Sequence, residues 1–160
     1  MKKSSDTQRQ LEFPIFFLDR NLGREKLPTL LRSKGFMLQV HDEHFQQDEA
    51  DDVWLSKCGE RCWVVITPDT HILRERVNMR AIGRSKGRVF FLSSNNLRAE
   101  IWAEALTAAW RDINSAIRNR DGPFIARISS TGQVWGIKEL TKHGREKRKS
   151  KRPKVREEWW

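Results

Sequence analysis

No run of this chain approaches the roughly 20 consecutive apolar residues that a membrane-spanning helix needs. The opening Met1-Lys2-Lys3-Ser4-Ser5-Asp6 also lacks the apolar stretch of a secretory signal, so a cytoplasmic location with no membrane partner is expected. Cysteine is scarce: only Cys58 and Cys62 are present. They stand four apart in a segment that reads as helical, which puts them on one face in a geometry poor for a bridge. Two small buried thiols are the favoured reading, with a disulfide or half of a metal site as the alternatives. There is no Gly-rich phosphate loop of the mononucleotide or dinucleotide type. Ser93 and Ser94 have no Gly-x-Ser-x-Gly around them, so nothing marks a serine nucleophile.

Basic residues outnumber acidic ones, giving a net charge of +10 over 160 residues. The excess is uneven. Residues 141–160 hold nine Lys and Arg against three Glu, a net of +6, which leaves +4 for everything before them. Such a tail attracts phosphate without specificity and carries no information about catalysis. Its Lys142, Arg145, Lys147, Arg148, Lys149, Lys151 and Arg152, together with Arg20, are the candidate nucleic-acid contacts.

At this length one domain with a real core is expected. Residues 1–10 read as a loose leader, 11–140 as the domain and 141–160 as a basic tail without structure of its own. Phe13-Pro14-Ile15-Phe16-Phe17-Leu18 is a short continuous apolar run, the mark of a strand buried on both faces. Leu27, Leu30 and Leu31 are spaced as in a helix from Gly23 to Lys34, ended at Gly35. Phe36 to Val40 is a second strand, followed by a polar stretch from His41 to Glu49. Asp51 to Arg61 reads as a helix with acids in its first turn, where the helix dipole favours them. Trp63-Val64-Val65-Ile66-Thr67 is the clearest strand. Ile72 to Ile82 reads as a weaker helix closed by Gly83, and Arg88 to Ser93 as a fourth strand. One long amphipathic helix is expected from Leu97 to Asn119. Two last strands, 124–128 and 133–137, flank Ser129-Ser130-Thr131-Gly132 as a hairpin. Alternating strands and helices imply an α/β fold with a mostly parallel sheet covered on both faces, plus this C-terminal hairpin and tail.

In such a sheet, ligands bind beyond the carboxyl ends of the strands. Asp19 follows Leu18 directly, and Asp69 follows Thr67-Pro68. Glu49, Asp51 and Asp52 head the helix that feeds the Asp69 strand. These three acidic elements are expected to converge. Clustered carboxylates repel unless a cation neutralises them, and hard oxygen donors suit Mg²⁺ or Mn²⁺. A metal so held can activate water and stabilise the leaving oxygen of a phosphodiester. Acids at strand ends and in first helical turns also serve capping alone, so for Asp51 or Asp52 taken singly a capping or dipole-favoured role is the favoured reading, with a functional one as the alternative. His41 and His44, flanking Asp42 and Glu43, read as a polar surface turn, with a small metal site as the alternative.

Three segments, Phe16-Phe17-Leu18-Asp19-Arg20-Asn21-Leu22-Gly23, Asp51-Asp52-Val53-Trp54-Leu55 and Trp63-Val64-Val65-Ile66-Thr67-Pro68-Asp69, carry a resemblance. Ser94-Asn95-Asn96-Leu97 and Gly122-Pro123-Phe124-Ile125-Ala126 extend it. In order and spacing the chain resembles PIN-like ribonucleases, in particular the compact subfamily related to VapC-type toxins, from about Phe13 to Ile137. The resemblance implies a three-layer α/β fold, and Asp19, Asp51 and Asp69 as metal ligands and catalytic acids, with Asp52 the nearest rival of Asp51. It implies Thr67 as a polar neighbour that orients ligands or water, and Asn21 at the rim. Many PIN domains carry a further acid two residues after the third aspartate. This chain has His71 there, which puts a second metal in doubt.

Three functions follow as expectations: a metal-dependent endoribonuclease, with a cognate antitoxin if it is a toxin; a non-catalytic nucleic-acid-binding module on the same scaffold; and an interaction element that forms a homodimer through the helix of residues 97–119. Trp54, Trp63, Trp102 and Trp110 read as core or interface. Trp159 and Trp160 lie past the basic run, where an aromatic pair suits base stacking, partner docking or no role.

Overall fold

The computed structural model of the protein describes residues 13–94 and 97–148. Its strands are β1 (Ile15–Leu18), β2 (Met37–Val40), β3 (Val64–Thr67), β4 (Arg88–Leu92), β5 (Phe124–Ile128) and β6 (Val134–Glu139). Its helices are α1 (Lys26–Ser33), α2 (His41–His44), α3 (Asp51–Glu60), α4 (Arg76–Arg84), α5 (Ala99–Ala108) and α6 (Trp110–Arg118), with 3₁₀ turns at Arg20–Leu22 and Thr70–Arg74. The six strands form one sheet in the order β2-β1-β3-β4-β5-β6. All neighbours run parallel except β5 and β6, the expected hairpin.

The strands β1, β3 and β4 read as apolar runs because helices cover both of their faces. Phe16, Leu18, Ile66, Phe90 and Trp102 pack on the side of α1, α5 and α6, and Phe17, Val65, Val89, Trp54 and Ile82 on the side of α3 and α4. This is the three-layer α/β arrangement expected. From β1 the chain crosses to β2 on one side and returns to β3 on the other, so the direction of winding reverses between β1 and β3. That reversal opens a crevice outside the carboxyl ends of those two strands.

Several boundaries differ from the sequence reading. Helix α1 begins at Lys26 because the chain first makes the 3₁₀ turn after Asp19. The polar stretch holds a short helix, α2, in place of a surface turn. His41 is fully buried against Phe17, Phe45 and Trp54, while the exposed His44 meets Gln39 at 2.6 Å. The helix expected from Ile72 is a 3₁₀ turn followed by α4, which runs through Gly83 rather than stopping there. Gly83 is instead where the next segment crosses: a Cβ there would stand 2.5 Å from the Thr141 carbonyl oxygen.

The long helix is two. α5 and α6 meet at Ala109, and the turn of the hairpin lies against the break. A Cβ on Gly132 would stand 2.6 Å from that of Ala108 and 2.7 Å from the Ala105 carbonyl oxygen. Gly132, at φ +84°, therefore serves the turn and the close approach together. Cys62 lies beyond α3 with φ +58°, so the two cysteines do not share a helical face. Cys58 is buried, Cys62 is half-buried, and both thiols are free.

The chain past Leu140 is not featureless where it is described. Leu140 bridges to Glu146, and Lys147 donates its amide to the Glu139 carbonyl. The leader, Lys149, Lys151, Arg152, Trp159 and Trp160 lie outside the described residues. Among the described residues no helix is long and apolar enough to cross a membrane.

Candidate active site at the carboxyl edge of the sheet

Asp19 sits at the crevice because β1 ends in it. Its amide continues the ladder to the Ile66 carbonyl at 3.1 Å, which keeps it in register beside Thr67. Only 2% of its surface is exposed. The Thr67 hydroxyl donates to Asp19 Oδ2 at 2.6 Å, and the Asp69 amide donates to the same hydroxyl oxygen at 3.0 Å. One hydroxyl thus ties the two strand-end aspartates together. Asp69 Oδ1 accepts from the His71 amide at 2.9 Å and so also caps the 3₁₀ turn that follows.

Burial pushes the Asp19 carboxyl up from its ordinary range. The Thr67 hydroxyl, the Arg20 guanidinium, the Asn21 amide and His41 pull the other way without overcoming it. The anion is thus held in place but short of compensating charge, since desolvation disfavours a carboxylate until a cation or enough donors approach it.

Asp51 occupies the first turn of α3. Trp54 Nε1 donates to its Oδ1 at 3.0 Å, within one helical turn, and fixes that carboxylate. Arg20 reaches over from the turn after Asp19: one guanidinium nitrogen is 3.9 Å from Asp51 Oδ1 and another donates to the Gln47 carbonyl. Arg20 therefore lies between the two acidic elements as their common cation. Asp52 is half-buried next to Asp51, and Asn21 is exposed at the rim.

Asp19, Thr67 and Asp69 are thus joined by hydrogen bonds, and among the described residues Asp51 approaches them through Arg20. Among the described residues no three His, Cys, Asp or Glu side chains are grouped as a metal site. The donor chemistry nonetheless suits a hard divalent cation: the available ligands are carboxylate and hydroxyl oxygens, and Asp19 lacks a full counter-charge. The described tail bases are not part of this constellation. Lys147 is placed by Glu139, which pairs with Phe124 at the amino end of β5, so it emerges at the opposite edge of the sheet.

The sequence reading took His41 as part of a polar surface turn, with a small metal site as the alternative, whereas the structure buries it. Both its ring nitrogens are buried without a hydrogen-bond partner, and Nδ1 lies 3.5 Å from Asp42 Oδ1. Its place at the end of β2, next to an apolar strand, was the one signal for it.

A family model for the PIN like domain matches residues 14–94. Among curated proteins, the one named Putative ribonuclease VapC45, from Mycobacterium tuberculosis (strain ATCC 25618 / H37Rv), is 33% identical over 116 residues, covering 70% of this chain and 83% of its own length. No solved structure matches the chain significantly.

Proposed function

The chain belongs to the PIN-like domain family, and on that premise we propose that it is an endoribonuclease whose acidic set is Asp19, Asp51 and Asp69. The observation that carries this reading is the Thr67 hydroxyl, which joins Asp19 to Asp69 at the crevice between β1 and β3.

In this reading Asp19, Asp51 and Asp69 hold Mg²⁺ or Mn²⁺, with Asp52 the nearest substitute for Asp51. Bound there, such an ion would supply the Lewis acidity that lowers the pKa of a water and offsets charge on the leaving oxygen of a phosphodiester. The chain's own residues do the rest. Thr67 holds the Asp19 carboxylate at a fixed angle by donating to one of its oxygens, and Trp54 does the same for Asp51. Arg20, 3.9 Å from Asp51, is placed to exchange that contact for a phosphate oxygen of the RNA. Burial of Asp19 excludes bulk water from the side of the site formed by β1 and β3.

We propose further that the chain acts as a toxin in the cytoplasm, with a small antitoxin partner covering this edge and a homodimer as its assembly; the likeness to a protein named as a ribonuclease supports the nuclease part of this reading. One observation favours a second reading, a binding module without catalysis. His71 stands where many PIN domains have a further acid, and no three-acid group is formed among the described residues.

Cleavage of RNA in Mn²⁺ or Mg²⁺, stopped by chelator and lost in Asp51→Asn, is the outcome expected of the nuclease. Salt-sensitive RNA binding with no product, lost when residues 141–156 are removed, would favour the binding module.

A further inference from the structure

Four paired residues of β3 to β6 stand abreast across the sheet, continuing a row that Asp19 begins at the end of β1. The pairing of Leu18 with Val40 and Ile66 places Asp19 between His41 and Thr67, and Thr67 pairs with Phe91, Phe91 with Arg127, and Arg127 with Trp135. Side chains alternate along a strand, so one row shares one face. Here it is the face of α3 and α4: Phe91 packs there, and Thr67 meets Asp19 there. The row begins at the candidate site and ends at the sheet edge. With strands about 4.8 Å apart, Trp135 lies about 14 Å from Thr67.

The far end of this row is built in a particular way. Trp135 is 51% exposed, and the Arg127 guanidinium lies over its ring, 5.5 Å from the centroid. A β-bulge separates the Arg127–Trp135 pair from the Ile125–Lys138 pair. Within it Gly136 has φ +62°, and the Arg127 stem crosses where a Cβ would point, its Cδ at 3.8 Å. Bulges of this kind re-aim side chains at the edge of a sheet. Beside them is a cleft of ≈ 230 Å³, with Phe91 and Ile125 in its floor and Arg127, Lys138 and Glu146 at its rim. Lys138 and Glu146 pair at 3.8 Å, which leaves Arg127 as the rim's net positive charge.

We propose that Arg127 and Trp135 form a base-stacking subsite for single-stranded RNA, holding a nucleotide that flanks the bond cut at Asp19 and Asp69. This rests on the ribonuclease reading of that edge. Half of the indole surface is exposed, so the ring can stack on a base away from Arg127, while the guanidinium over its other side meets the adjoining phosphate; together they bind a strand with little sequence preference. The span from Thr67 corresponds to at most about four stacked steps of roughly 3.4 Å each.

The test uses the full chain, its Trp135→Ala, Trp135→Phe and Arg127→Ala variants, and short RNAs carrying 2-aminopurine at successive positions, with binding read in chelator. The expected result is quenching at one position by wild type. Affinity should fall about tenfold and quenching vanish in Trp135→Ala, and both should be retained in Trp135→Phe. Thermal melts should show all four proteins folded at the assay temperature, so that the loss is read on native protein. Quenching lost in Trp135→Ala when wild type cuts no RNA would support the subsite and remove the ribonuclease reading. Equal affinity and quenching in Trp135→Ala would overturn the subsite alone. A loss that persists when the base is absent from that position would also overturn it. Unchanged RNA binding with a lower concentration-dependent mass in Trp135→Ala would overturn it too, in favour of a protein interface.

Discussion

Thr67 and Asp19, 48 residues apart in sequence, share a 2.6 Å hydrogen bond between two fully enclosed strand ends. The hydroxyl donates to the carboxylate and accepts from the Asp69 amide, so its proton and one of its two lone pairs are committed. Thr67→Val keeps the branched shape and removes both bonds. The expected loss of stability is about 1–3 kcal/mol, because a buried carboxylate and an amide lose their partner. Thr67→Ser should recover most of it. Urea denaturation of the three proteins checks the order.

Asp19→Asn should act in the opposite direction. The folded-state carboxyl is raised by burial, so the folded protein holds this proton more tightly than the unfolded chain does. The stability linked to it is complete below the unfolded carboxyl range and is lost as pH rises through the raised folded value. At neutral pH in chelator, Asp19→Asn escapes that penalty while still accepting from Thr67. It should melt a few degrees higher than wild type, for a gain of about 1 kcal/mol. The gap should close as pH is lowered toward 4, which thermal melts across pH would reveal.

Trp54→Phe separates positioning from folding. It removes the Nε1–H that holds Asp51 and leaves the ring stacked on Phe17, whose centroid lies 5.5 Å away. A cost of about 1–2 kcal/mol is expected from the lost bond and volume. Weaker Mn²⁺ binding should accompany it, measured by calorimetry on protein that is still folded. Unchanged Mn²⁺ affinity would separate Asp51 from the metal.

Cys58 and Cys62 should differ in reactivity. Burial drives the Cys58 thiol far above its usual range, and its side chain has no exposed surface, whereas Cys62 sits half-open in the turn after α3. A thiol-specific chromogenic reagent should therefore modify one cysteine in native protein and both in denaturant.

Much of this was legible in the sequence. The apolar runs at β1 and β3, with aspartates at their ends, fixed both the sheet and the edge where the acids sit, because strands buried on two faces must be apolar throughout. The break at Ala109 was not legible, since the apolar spacing continues unbroken from Trp102 to Ile117 and the cause, the approach of Gly132, comes from another element. The inward turn of His41 escaped for a related reason: its neighbours Asp42, Glu43 and His44 are polar, and only the aromatic cage from β1 and α3 receives it. The position of Lys147 at the far edge follows from the hairpin register, which charge alone cannot encode. The row from Asp19 to Trp135 likewise exists only once the strands are in register.

The most direct measurement incubates purified protein with structured and unstructured RNA in Mn²⁺, in Mg²⁺ and in chelator, beside Asp19→Asn and Asp69→Asn checked for folding by thermal melts. The account predicts cleavage that requires a divalent ion and is lost in both variants while they remain folded. Absence of product from folded wild-type protein in either metal, or cleavage that survives both substitutions, would contradict it.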